Sequence, residues 1–482
     1  MKNSRLAELL KTFSSKEINS FEEFINSEYF NKNKNLVKLF DAIKIYHPLF
    51  GDDGMLKENI YKEVIGKKKY SDEKMRNLIA DLMKLCKKFL IQRELEKRNI
   101  ESNLFLLSNL REREQNGLFD YEFDKTFSSM EKNYKKERDY YYLSYMMKFE
   151  KYYTRPEETQ DKSEKNYLLE DITLDFERFF LLEMLDFNYN LLTHNIKRNK
   201  TLKYLFLDVV KQKVEQNEYS DSPLIPIKYK IIMAIENQDK EKYFEEAEKL
   251  FLENYDKLSG FEQATMQLGL SNYCWLKIAA GEDKYFEKVF KLYKVALESN
   301  IFFHNNKYLL ATVFNNIVKC AIYQNELIWL SKFLANYKNK IAPANRKEVI
   351  SVSLAKYYFE RNNYELALKY ISKLNPDYAL LKIELKVLNI KIYYELNYID
   401  SLYSLVDSTR HLLKSTVTIA AHQINQNKYF LKYITKLVKL KESQAGKIRT
   451  SELHFLKEEI EGIKDFGAIN KRWILRKIIE IK

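Results

Sequence analysis

Apolar positions three and four residues apart recur along nearly the whole chain, and period-two alternation is almost absent. The pattern is plainest in residues 351–376, SVSLAKYYFERNNYELALKYISKLNP. Leu354, Ala355, Tyr358 and Phe359 fall on one side of a helix, and Asn362-Asn363 then interrupts the run with residues that tolerate turn geometry. Tyr364, Ala367, Leu368 and Ile371 form a second stripe. Asn375-Pro376 stops it, because proline disfavours helical backbone in the residue before it. One such hairpin leaves its apolar face uncovered, so it must stack on neighbours. Val352, Lys356, Tyr358 and Glu360 recur as Val387, Lys391, Tyr393 and Glu395, 35 residues on.

Read from its start, the chain divides into four segments. In residues 1–95, Ser14 with Glu17 predicts a capping box that opens a helix through Phe21, Phe24 and Ile25. Leu36, Leu39, Phe40 and Ile43 mark a second helix ending at His47-Pro48, and Gly51–Gly54 reads as a turn. A third helix covers about 55–65 and ends at Gly66. Ser71 caps a long amphipathic helix with Asp72 and Glu73 in its first turn, where the dipole favours acid. Residues 96–220 repeat poorly, with breaks expected at Gly117 and Arg155-Pro156 and a long aromatic helix over 167–194. Residues 221–413 hold five regular hairpins whose turns fall near Asn237, Gly281, Asn325, Asn362 and Asn397. Residues 414–482 close the chain, with Trp473, Ile474 and Ile478 expected to pack the last helix.

The 351–376 hairpin resembles the tetratricopeptide repeat, whose period is about 34 residues. Leu354, Ala355, Tyr358, Tyr364 and Ala367 stand where that family keeps its core positions, whereas the usual tryptophan and turn glycine are absent. The whole chain is also similar to uncharacterised helical-repeat proteins of Bacteroidota-type bacteria. The opening LLKTFSSKEINSFEEFINSEYFNKNKNLVKLF, the ALKYISKLNP hairpin and the terminal RWILRKI carry that likeness. The resemblance implies architecture alone: an all-α chain, an irregular α-solenoid of antiparallel helical hairpins with a helical N-terminal cap.

Ten glycines and six prolines in 482 residues support the all-α class. Three scattered cysteines argue against a disulfide framework, the start lacks the apolar core of a signal peptide, and a cytoplasmic protein is expected. The net charge of +13 sits at two places. Residues 61–100 carry twelve Lys/Arg against six Asp/Glu, and 428–482 carry fourteen against seven.

Three candidate sites emerge, each beside a plainer reading. Lys319, Lys356 and Lys391 each stand six residues before a turn asparagine, a position that faces the concave groove of a tetratricopeptide-like stack. Such a column could hold the carboxylates of a peptide or partner helix; the plainer reading is three solvated lysines. Lys67, Lys68 and Lys69, with Arg76 and Lys84 on the helix that follows, could grip the phosphates of DNA; the plainer reading is a solvated helix face. A third stripe, Lys428, Lys432, Lys436 and Lys439, could meet an anionic membrane, but its apolar side is needed by the stack.

No phosphate-cradling glycine loop, HExxH, CxxC pair or GxSxG elbow occurs, and the six histidines have no partner at metal-ligand spacing. The expectation is therefore a non-enzymatic scaffold without cofactor or metal. It would bind a protein or peptide in its groove, an acidic one if the lysine column is the site. The alternative is a DNA-binding regulator that uses residues 61–100.

Overall fold

The computed structural model describes residues 4–50, 55–66, 68–154, 162–198, 202–217, 219–300, 302–304, 307–376, 379–416, 419–442 and 450–481. These residues are overwhelmingly helical, and the chain is all-α. Strand structure among them is limited to a two-residue antiparallel ladder, Phe303–His304 against Tyr308–Leu309.

The chain packs as two compact units, residues 1–132 with 146–169 and residues 133–145 with 170–482. In the first unit, α1 (Arg5–Leu10), α2 (Ser15–Asn26), α3 (Lys34–Lys44) and α4 (Lys57–Ile65) precede the long α5 (Asp72–Lys97). The expected caps form. The Ser14 hydroxyl accepts from the Glu17 N–H, and the Glu17 carboxylate accepts from the Ser14 N–H at 2.8 Å. Ser71 accepts from the Lys74 N–H, and Gly66 ends α4 at φ +83°. Phe89 of α5 meets Phe13, Phe21 and Phe24, with centroids 5.8, 5.2 and 5.6 Å apart. Burying such rings is the main stabilising term, worth roughly 2–3 kcal/mol each. The break expected at Gly117 falls earlier. Helix α6 (Asn99–Glu112) is followed by the turn residue Glu114, a non-glycine at φ +55°, and Gly117 lies inside α7 (Asn116–Asn133). The expected turns at Gly51–Gly54 and Arg155-Pro156 lie outside the described residues.

Helices α8 (Arg138–Tyr152) and α9 (Lys162–Arg198) contribute residues to both units, and α9 is longer than the expected 167–194. In the second unit, α10 (Leu207–Gln216) leads into five successive pairs. These are α11 (Leu224–Glu236) with α12 (Lys242–Glu253), and α13 (Gly260–Ala279) with α14 (Tyr285–Glu298). Then come α15 (Ala311–Tyr323) with α16 (Leu327–Tyr337), α17 (Pro343–Glu360) with α18 (Tyr364–Ile371), and α19 (Ala379–Glu395) with α20 (Ile399–Ser415). Each second helix from α12 to α18 packs on the first helix of the next pair, and α17 also touches α15 and α19. Helix α18 ends at Ile371, short of Asn375-Pro376, so the proline follows the helix without terminating it.

The turns share one backbone device. Gly281, Asn325, Asn362 and Asn397 all adopt left-handed φ, at +93°, +57°, +57° and +58°. The next N–H returns to a carbonyl five residues back: Glu282 to Lys277, Glu326 to Ala321, Asn363 to Tyr358, Tyr398 to Tyr393. This is the Schellman closure, which satisfies carbonyls a helix end leaves free. Asparagine serves because its short polar side chain tolerates the left-handed region. Asn237, the fifth expected turn residue, caps α11 at φ −116° instead.

The chain closes with α21 (Ala421–Glu442), α22 (Thr450–Glu461) and α23 (Ala468–Ile481), with α23 packed on the other two. Phe430, Tyr433, Ile434 and Leu437 are buried, as are Trp473, Ile474 and Ile478. No helix among the described residues is long and apolar enough to cross a membrane.

Candidate partner-binding groove

The shared turn places Lys319, Lys356 and Lys391 at one register, near the C-terminal ends of α15, α17 and α19. Two of the three meet. The Lys356 ammonium lies 2.7 Å and the Lys319 ammonium 3.2 Å from the same oxygen, Oε1, of Glu384 on α19. Lys319 is a third exposed, Glu384 about a quarter and Lys356 13%. Burial would push the Glu384 carboxyl up, but the two ammoniums outweigh it and hold the group well below the usual carboxylate range. Burial draws Lys356 down in spite of Glu384. The cluster carries one surplus positive charge, and Lys319 gives it access to solvent.

Lys391 does not join them. It is 6% exposed, with its ammonium 5.4 Å from the Trp473 ring centroid and 5.7 Å from that of Phe430. Burial pushes its pKa down to about 8. The open three-lysine column is therefore corrected. Glu384 occupies the first two levels from within the chain, and aromatic rings cover the third.

Sequence reasoning missed Glu384 and the C-terminal helix as parts of this site. Glu384 precedes Lys391 by seven residues, two helical turns, which is a signal for a shared face but not for a partner on another helix. Helix α23 reaches the ends of three first helices. The Arg472 guanidinium donates to the Tyr323 carbonyl at 2.5 Å, Arg476 lies 3.9 Å from Glu360, and Lys477 pairs with Glu395 at 2.7 Å. Tyr323, Glu360 and Glu395 are the last residues of α15, α17 and α19, so these bases sit where helix dipoles favour cations.

Lys68 and Lys69, just before α5, and Arg76 and Lys84 on it are all exposed, and Lys67 lies outside the described residues. Arg76 pairs with Asp72 at 3.1 Å and Lys84 with Asp81 at 2.9 Å, both within the same helix. In the C-terminal stripe, Lys432 and Lys436 both bind Glu459 at 2.8 Å. That stripe is partly spent on α22.

Elsewhere in the second unit, buried Lys228 bridges Asp186 and Glu262, tying α9, α11 and α13 together. A cavity of about 560 Å³ opens beside α9, walled by Met184, Phe187, Leu191, Leu202 and Leu205. It is apolar, and His194 is the one titratable side chain in its lining. Among the described residues no group of three or more His, Cys, Asp or Glu could hold a metal ion. No known protein family, curated protein or solved structure matches the chain.

Proposed function

We propose that residues 221–413 stack as a tetratricopeptide-like solenoid and serve as a protein-interaction scaffold, flanked by a helical N-terminal module over 1–95. A partner's peptide or helix with acidic side chains would lie along the first helices, with Lys319 and Lys356 supplying charge. The observation that carries this reading is the Lys319–Glu384–Lys356 cluster. A repeated turn aligns two lysines on one carboxylate, with surplus charge and partial exposure. Each ammonium has three N–H donors and Glu384 uses one, so a partner carboxylate can share the cluster without displacing Glu384. A cytoplasmic location fits the same reading.

The test is a titration of a labelled amphipathic helical peptide with glutamates on its polar face, against wild type and Lys319→Met. Weakening by about 1.5–3 kcal/mol, the scale of a charge-assisted hydrogen bond, is expected in the variant. Equal affinity for both proteins sinks the assignment. The DNA-binding alternative draws less support, because Arg76 and Lys84 each have a carboxylate of their own helix in contact.

A further inference from the structure

Lys391 stands at the groove position that Lys356 and Lys319 occupy one and two pairs earlier, yet it has no carboxylate within ion-pair distance among the described residues. The charged groups facing it are Glu360 and Lys356 from α17, Glu395 from α19 and Arg476 from α23, while α21 presents Phe430. Both carboxylates are already engaged. Glu395 accepts from Lys477 at 2.7 Å and from the Trp473 indole N–H at 3.1 Å, and Glu360 faces Arg476 at 3.9 Å. Helix α23 thus brings its own cations to the two carboxylates that could have served Lys391 and lays Trp473 over the ammonium. Aromatic faces return only part of what a buried cation loses.

We propose that α23 is a displaceable strap, which covers Lys391 until a partner's carboxylate claims that ammonium. The inference rests on the reading of residues 221–413 as an acidic-peptide groove. A ligand shifts such an equilibrium only by its differential affinity for the open state. A carboxylate on Lys391, matching Glu384 on the two earlier lysines, is that difference. Of the three basic contacts of α23, the one at Arg476 suits release: the side chain is nearly half exposed, and its pairs with Glu360 and Glu480 are long, at 3.9 and 3.8 Å.

The experiment is hydrogen exchange of the full chain, wild type against Lys391→Met, at pH 7 and pH 9 after correction for intrinsic rates. In wild type the amides of residues 470–480 should exchange by local opening, at least about tenfold faster than those of residues 352–359. Lys391→Met, which removes the buried charge, should slow that opening about tenfold at pH 7, and pH 9 should slow wild type towards the variant. Exchange of α23 only with its whole unit, at one rate in both proteins, overturns the proposal. Arg472→Ala/Arg476→Ala keeps the question answerable if Lys391→Met does not fold: it must speed the opening, and an unchanged rate overturns the strap. Where the glutamate-bearing peptide binds, it must also raise α23 exchange. Failure of that peptide to bind at all counts against the groove reading, whereas strap opening is read without any peptide.

Discussion

Arg472 and Tyr323 join across 149 residues: the guanidinium donates to the Tyr323 carbonyl and lies 5.2 Å from the centroid of the Tyr323 ring. Tyr323 ends α15, so the bond supplies a cation to a helix C-terminus and a partner to one of its free carbonyls. The Tyr323 hydroxyl in turn donates to Asp283 at 2.6 Å, which links the turn of one pair to the next. Replacing Arg472 by Ala should lower stability by about 1–2 kcal/mol, read as a fall in the urea midpoint with unchanged slope. A change below about 0.3 kcal/mol would mean the bond is not populated in solution.

Lys391 predicts an unusual pH dependence. Its pKa is about 8 when folded against 10.5 as reference. Between those values the unfolded chain holds the proton and the folded chain does not, so stability rises with pH across that window. Below about pH 8 the folded state bears the full cost of the buried cation, on the order of 3–4 kcal/mol. Lys391→Met should therefore raise stability at pH 7 and flatten the rise between pH 8 and 10.5. Urea unfolding of both proteins at pH 7 and 9 measures this.

Glu384 also makes stability rise with pH, but in the acid range and through a favourable interaction instead of a buried cost. Its folded carboxyl titrates below the reference value of 4.5, so its contribution is present above that pH and fades as pH falls through the depressed value. Glu384→Gln leaves a largely buried and a partly buried ammonium without their shared anion and should cost about 3 kcal/mol or more. A double-mutant cycle with Lys356→Met would recover part of that loss, since one cation is then gone.

At Asn362, φ is +57°. Asn362→Gly should be neutral to slightly stabilising, whereas Asn362→Val should cost about 1–2 kcal/mol, because a branched Cβ crowds the carbonyl in the left-handed region. Thermal unfolding separates the two.

In the first unit, Phe89→Ala should cost about 3–5 kcal/mol, because three other phenylalanine rings close on it. Far-ultraviolet circular dichroism during urea unfolding reads the loss.

The helices were legible where periodicity and caps agreed, as at Ser14–Glu17 and at Asn325, Asn362 and Asn397. Gly117 and Pro376 depart from expectation for one reason: each has the residue type of a helix stop, but Glu114 takes the left-handed turn and α18 ends before its proline. The register of the three lysines could be read because identical turns preserve it. Their fates could not. Glu384 reaches Lys319 from a helix about 65 residues away in sequence, and Trp473 reaches Lys391 from 82. Pairings of that kind depend on packing between elements, which one-dimensional spacing does not encode.

The most direct measurement is hydrogen-exchange mapping of wild type with and without saturating glutamate-bearing helical peptide. The groove account predicts new protection along α15, α17 and α19, centred on residues 315–323, 352–360 and 384–391, and lost in Lys319→Met. Protection confined to α5, or none anywhere at saturation, would contradict it.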